Sequence, residues 1–189
     1  MLVGVLALQG DFNEHASSLM QIDKKYILIK KEQDLKGIDA VILPGGESTS
    51  MNIIQKNQNL FINLKKVIEN NVPTLGTCAG AILLSKKIEN EPFSTLDVLN
   101  INVIRNAYGR QNDSFEASVS IDHLPKERQC FIRAPKITAI GKNVKVISKY
   151  KDDIVGVKQN NIVALTFHPE INQTPLYLGW LNDFLENSV

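Results

Sequence analysis

Two short stretches of this 189-residue chain carry the residue types of acyl-transfer chemistry: Gly76-Thr77-Cys78-Ala79-Gly80 and His168-Pro169-Glu170. A cysteine serves as a nucleophile when a base takes its proton and a third group orients that base. The pentapeptide has the small-x-nucleophile-x-small form of a nucleophile elbow. Glycines on both sides permit a strained strand-to-helix turn that holds the thiol clear of a sheet. A helix N-terminus at that point favours thiolate over thiol. The N–H of Ala79 would meet an oxyanion formed on an attacked carbonyl. In extended chain, residues i and i+2 point the same way, so Glu170 can hold the imidazole of His168. Each stretch also has a plainer reading. Cys78 alone fits a packed core thiol equally well, and His168 alone reads as a loop histidine beside a surface glutamate. Taken together, the two stretches favour catalysis.

A third stretch, Pro44-Gly45-Gly46-Glu47-Ser48-Thr49, ends one apolar run. Its glycines let backbone N–H groups approach a ligand closely. It lacks the G-x-x-x-x-G-K spacing of a phosphate loop, which leaves a simple turn or an oxyanion-hole donor, the N–H of Gly46 acting with that of Ala79. His15 and His123 have no comparable context and read as surface or satisfied polar residues. Neither HExxH nor Cys/His ligand spacing is present, so no metal is expected.

These residues need elements to carry them. Leu2–Leu8 is a continuous apolar run with the bulk of a strand buried on both faces. Asp11–Ile22 reads as a helix with Asp11 as N-cap. Tyr26–Ile29 and Ile38–Leu43 read as strands. Leu60, Phe61, Leu64, Val67 and Ile68 share one helical face. Pro73–Gly76 enters the cysteine turn and Ala79–Lys87 leaves it as a helix. This alternation argues for a parallel α/β sheet. Leu96–Ile104, Phe115–Ile121, Cys130–Ile132, Val144–Ser148, Ile154–Lys158 and Ile162–Thr166 are strand-like with few helices between, and Asp152-Asp153 and Asn160-Asn161 suggest hairpin turns. Antiparallel additions to the sheet follow. Tyr177, Leu181, Phe184 and Leu185 share a face of a closing helix. In open α/β sheets ligands bind beyond the carboxyl ends of the strands. Gln9, Gly45-Gly46, Cys78 and His168 would therefore converge if their strands are parallel neighbours.

The length suits one domain. Lys and Arg number 21 against 20 Asp and Glu, giving a net charge of +1, with no electrostatic footprint for nucleic acid. The apolar N-terminus is short and lacks a basic flank, so it does not read as a signal peptide, and no run reaches the ~18 residues of a membrane helix. Cys78 and Cys130 form no CxxC pair, and a cytoplasmic setting is expected.

GVLALQGDFNEH, ILPGGEST, GTCAG, RNAYGRQNDSFEA, FIRAP and FHPE occur in that order across nearly the whole chain. Through GTCAG and HPE the chain resembles class I, or triad, glutamine amidotransferases. Through LQG…EH, RN-x-x-GRQ-x-x-SFE and FIRAP it is similar to the glutaminase subunits of two-component pyridoxal 5′-phosphate synthases. The resemblance implies a flavodoxin-like, three-layer α/β fold with a mostly parallel central sheet and antiparallel additions, residues 1–189 forming a single glutamine amidotransferase domain. It implies Cys78 as nucleophile, His168 as base and Glu170 as its orienter. Gly46, Glu47, Ser48, Arg105, Ile132 and Arg133 would bind L-glutamine, with Gly46 and Ala79 forming the oxyanion hole. No cofactor is implied. The partner would be a (β/α)-barrel synthase subunit, docking near Gln9 and Gly10 and switching on a glutaminase that is nearly silent alone. A glutaminase of another amidotransferase, a cysteine peptidase or stress protein, and a non-catalytic glutamine-binding subunit are the rival readings. RNAYGRQ with FIRAP, HPE paired with PGGES, and the retained triad argue against these in turn.

Overall fold

The computed structural model describes residues 1–46, 57–89, 91, 94–108 and 114–187. The first half runs β1 (Leu2–Leu6), α1 (Phe12–Gln21), β2 (Lys25–Ile29), β3 (Ala40–Leu43), α2 (Gln58–Glu69), β4 (Thr74–Thr77), α3 (Ala79–Leu84) and β5 (Ser85–Ile88). The second half runs β6 (Leu99–Ile104), β7 (Phe115–Val119), β8 (Glu127–Phe131), β9 (Lys136–Ile140), β10 (Lys145–Tyr150), β11 (Asp153–Gln159), β12 (Ile162–Leu165), α4 (Pro169–Asn172) and α5 (Pro175–Asn187).

Among the described residues the main sheet has the strand order β2-β1-β3-β4-β12-β11-β9-β6-β5, with β10 paired to β11. The first five strands are mutually parallel. β11 then runs antiparallel to both β12 and β9, and β9 antiparallel to β6. β7 and β8 form a separate antiparallel pair. β1, β3, β4 and β12 are buried on both faces, which explains the apolar runs of β1, β3 and β12, whereas β2 at the edge is only partly buried. Val3, Val5, Ala40, Ile42 and Leu75 face one core, closed by Leu19 of α1 and by Tyr177, Leu181 and Phe184 of α5. Leu6, Val41 and Leu43 face the other core, closed by α2 and α3. Leu60, Phe61, Leu64 and Ile68 are the buried residues of α2, and burial of such a side chain contributes roughly 1.5–3 kcal/mol. The α/β sheet with helices on both faces matches the expectation. No helix among the described residues is long and apolar enough to cross a membrane.

Four local readings change. The helix after the cysteine stops at Leu84 rather than Lys87, because Ser85–Ile88 pairs in parallel with β6. The predicted strand at Cys130–Ile132 lies at Glu127–Phe131. β9 has no counterpart in the sequence reading; Ile137 is its one buried residue, so no apolar alternation marks it. The turn expected at Asp152-Asp153 is Lys151-Asp152, with Lys151 in the left-handed region, whereas Asn160-Asn161 turns as expected.

Candidate active site

β4 ends at Thr77 and α3 begins at Ala79, so Cys78 alone makes the turn between them. Its backbone has φ 46° and ψ −104°, a sparsely populated conformation for a non-glycine residue that costs on the order of 1–3 kcal/mol. The surroundings enforce it. The Cys78 N–H donates to Leu165 O of β12 at 2.8 Å. A Cβ on Gly80 would lie 1.8 Å from Leu43 O, and one on Gly76 would lie 2.8 Å from the Gly80 backbone. The flanking glycines therefore permit close packing of α3 against the sheet, and the cysteine bears the strain. Its thiol donates to Ile132 O at 3.6 Å.

β12, the neighbour of β4, leads directly into His168. The His168 N–H donates to Cys130 O of β8 at 2.9 Å, so the short β7–β8 pair fixes the backbone of the histidine. His168 caps α4 and Glu170 lies in the first turn of that helix. The two side chains meet through this helical turn rather than through extended chain. Nδ1–H of His168 donates to Glu170 Oε1 at 2.9 Å. Nε2 has no hydrogen-bond partner among the described residues, and both His168 and Cys78 line one cavity of about 440 Å³.

Glu170 is fully buried. Its Oε1 also accepts from the Thr77 hydroxyl at 3.1 Å and lies 3.4 Å from Nε2 of His15. Burial pushes the carboxyl up, but His15 and then His168 outweigh it and hold Glu170 well below the usual carboxylate range. For His168, burial pulls the imidazole down, and the neighbouring Asp11, Cys78 and Glu170 reverse this and hold it well above its ordinary value. Asp11, His168 and Glu170 bring one potential ligand atom each within 4.8 Å of one another. The Nδ1–H bond to Glu170 accounts for that closeness as a hydrogen-bonded cluster.

The glycine loop packs directly beside the imidazole. The Gly45 N–H donates to Thr77 Oγ1 at 3.2 Å, and Gly45 O accepts from the Asp11 N–H at 3.1 Å. A Cβ on Gly45 would lie 2.2 Å from Cε1 of His168. Gly46 has φ 146°, and a Cβ there would lie 2.6 Å from Gly10 Cα. Gln9, Gly10, Gly46, Cys78, Ala79, Ile132, Arg133 and His168 all line the cavity. Ala79 is the first residue of α3, and the N–H groups of a first helical turn have no intrahelical partner. Arg105 is not among the lining residues; it pairs with Glu91 at 2.7 Å, while its neighbour Asn106 does line the cavity. Glu47 and Ser48 lie outside the described residues.

Asp11, His15, Thr77 and Asn106 are the site's additions to the sequence reading. Asp11 sits at the cap of α1 without making a side-chain cap bond. His15 is fully buried rather than a surface residue; its Nε2 lies 3.1 Å from Thr77 Oγ1, and its Nδ1 has no partner among the described residues. The available signals were the i, i+4 spacing of Asp11 and His15 and the position of Thr77 inside the elbow motif. His123 is exposed beside Asp122.

Comparisons with known proteins identify the family. The chain is 44% identical over 184 residues, 96% of its own length and 98% of the relative's, to a pyridoxal 5′-phosphate synthase subunit PdxT of Thermosipho africanus. It is 47% identical over 174 residues, 90% of this chain and 92% of the relative, to the subunit of the same name from Dictyoglomus turgidum. A crystal structure of a glutamine amidotransferase superposes with a TM-score of 0.89 at 38% identity, covering 98% of both chains. The model of the SNO glutamine amidotransferase family matches residues 5–185. The chain belongs to the SNO glutamine amidotransferase family.

Proposed function

We propose that this amidotransferase is the glutaminase subunit of a pyridoxal 5′-phosphate synthase, with Cys78, His168 and Glu170 as its triad. One observation carries the site assignment: Cys78 and His168 line the same cavity, with Glu170 buried on the far nitrogen of the imidazole. The names of the relatives support the choice of synthase.

In this reading the Cys78 thiolate attacks the side-chain amide carbon of L-glutamine. The oxyanion rests on the N–H groups of Ala79 and Gly46. His168, as imidazolium, protonates the departing ammonia, and a γ-glutamyl thioester remains on Cys78. His168 then takes a proton from water, whose oxygen attacks the thioester; glutamate leaves and the Cys78 thiolate is restored beside the imidazolium. Glu170 keeps Nδ1–H fixed so that Nε2 does the proton work. Ile132 and Arg133 on the cavity wall, with Glu47 and Ser48, hold the amino-acid end of the substrate, and Arg105, paired with Glu91 outside the cavity lining, makes no direct contact with it. An arginine fork suits its carboxylate.

The reaction itself needs no cofactor. The chain acts as one domain in the cytoplasm and hands its ammonia to a (β/α)-barrel synthase docked over Gln9 and Gly10. Docking orders the Gly45-Gly46 peptide and so completes the oxyanion hole. A single missing donor there costs about 10²–10³-fold in turnover, enough to keep the free chain nearly silent. The test is steady-state glutamine hydrolysis by the purified chain, titrated with its synthase. The expected result is a rise of that order. Full activity alone, unchanged by the synthase, refutes the switch, and no hydrolysis at any synthase concentration refutes the function.

A further inference from the structure

The mechanism leaves two contacts at the start of α1 unused, one of them fully buried. Asp11 and His15 stand one helical turn apart, and both side chains reach the His168–Glu170 pair. Asp11 Oδ2 lies 3.3 Å from His168 Nδ1, the nitrogen already bonded to Glu170. His15 Nε2 lies 3.4 Å from Glu170 Oε1, the oxygen already bonded to His168. Carboxylate and imidazole thus alternate along one chain of contacts: Asp11, His168, Glu170, His15. We infer that Asp11 and His15 are positioning residues, a single turn of α1 holding both members of the pair, Asp11 on the histidine and His15 on the glutamate. The inference rests on the role of His168 proposed above.

Glu170 shows why the second grip is needed. A buried carboxylate is costly unless paired and hydrogen-bonded. Its Oε2 has no partner among the described residues, so Oε1 must gather the donors from His168, Thr77 and His15. Without His15 the carboxylate would depend on Thr77 and on His168 itself, whose charge changes during each turnover. Asp11 acts at the other end. At an N-cap a carboxylate normally accepts from the second or third helical N–H; here it makes no such bond and turns to the imidazole instead. Its own N–H donates to Gly45 O, and Gly45 sits so close to the His168 ring that a Cβ would collide with it. The start of α1, the glycine loop and the catalytic imidazole are therefore one packed unit.

The plainer account makes His15 a packing residue and Asp11 a dipole-compensating carboxylate. Titration separates the two. The groups facing His168 are Asp11 from the α1 cap, Glu170 from α4, Cys78 from the elbow and Cys130 from β8, with Arg133 on the cavity wall. Glu170 also faces His15 and, from α5, Tyr177. Asp11 is partly exposed, so its field is screened but not abolished.

The experiment combines two readouts on the full chain. Imidazole NMR titration of the free protein, with His168 assigned through His168→Asn, reads the contact without requiring catalysis. The pH dependence of kcat/KM in the complex with its synthase reads its consequence. Asp11→Asn removes a negative charge from the imidazolium, so the His168 titration and the limb of the rate profile that reports it move to lower pH by about one unit, while KM for glutamine changes little. Asp11→Glu restores part of the shift. His15→Gln keeps a neutral donor toward Thr77 and Glu170 and retains more kcat than His15→Leu. An unmoved His168 titration in folded Asp11→Asn, or equal losses in the two His15 variants with unchanged pH profiles, overturns the inference. A shifted titration in the free protein, with no glutaminase activity in the synthase complex, overturns the proposed function and leaves the contact standing.

Discussion

The two walls of the cavity are built in opposite ways. On one wall, His168 and Glu170 are held by four groups converging from three elements: Thr77 from β4, the Cys130 carbonyl from β8, and Asp11 and His15 from the cap and first turns of α1. On the other wall, Gly45 and Gly46 have no side chains to anchor; apart from the Gly45 N–H on Thr77 Oγ1, their position depends on backbone contacts with Asp11 and Gly10. The difference teaches where the molecule can change state. Rotating a buried imidazole would break a charged network in a low-dielectric setting. Turning a glycine peptide meets no Cβ barrier. The acid–base half of the proposed mechanism is built before substrate arrives, and adjustment is left to the half that would receive the oxyanion.

The sharpest way to break this comparison is to remove the chemistry from the anchored wall. Cys78→Ala and His168→Asn should each lower glutamine turnover in the synthase complex by about 10⁵-fold or more, and Glu170→Gln by roughly a hundredfold less than His168→Asn. Released glutamate is the measurement. A Glu170 variant more damaged than the His168 variant would invert the roles assigned here.

A smaller effect should come from forcing the two walls together. Gly45→Ala places a methyl against Cε1 of His168, so the ring or the loop must shift. Displacement of a catalytic group by about 1 Å costs on the order of 10²-fold. The loss should fall on kcat, with circular dichroism unchanged. Near wild-type kcat would mean that the walls are not in firm contact.

The smallest expected effect concerns stability rather than rate. Glu170 titrates in the folded chain well below its ordinary value of 4.5. Its contribution to stability is present above that value and is lost as the pH falls through the lower, folded one. Thermal unfolding of the wild type should therefore weaken more steeply through the acid range than that of Glu170→Gln. Parallel slopes would show that the network around Glu170 does not favour its charged form.

The parts of the site legible in the sequence are those where chemistry demands fixed residue types at short spacing. GTCAG and HPE stand out because an elbow needs small flanks and a base needs an orienter close by. The four apolar runs ending in Gln9, Pro44, Cys78 and His168 also read correctly, because strands buried on both faces leave an unbroken apolar signature. Asp11 and His15 did not stand out. On a helix, an acid and a histidine four apart look like a solvent-facing pair, and only the packing of α1 against β4 and α4 turns them inward. β5 and β9 were hidden for a related reason. Their strand character comes from pairing with β6, a long-range contact that overrides weak local preference. The helical pattern after Cys78 simply continued in sequence past the point where that pairing ends it.

The conformation of Cys78 sets stability against reactivity at one position. Glycine would occupy φ 46°, ψ −104° with little strain, yet glycine carries no thiol. Every residue able to perform the proposed chemistry there keeps the folded state less stable than it could be. The restraint must therefore come from outside the residue, from the Leu165 carbonyl that holds its N–H and from the glycines that let α3 sit against Leu43. Sequence change at those supporting positions would be felt first as relaxation of the elbow, before any loss of the fold itself.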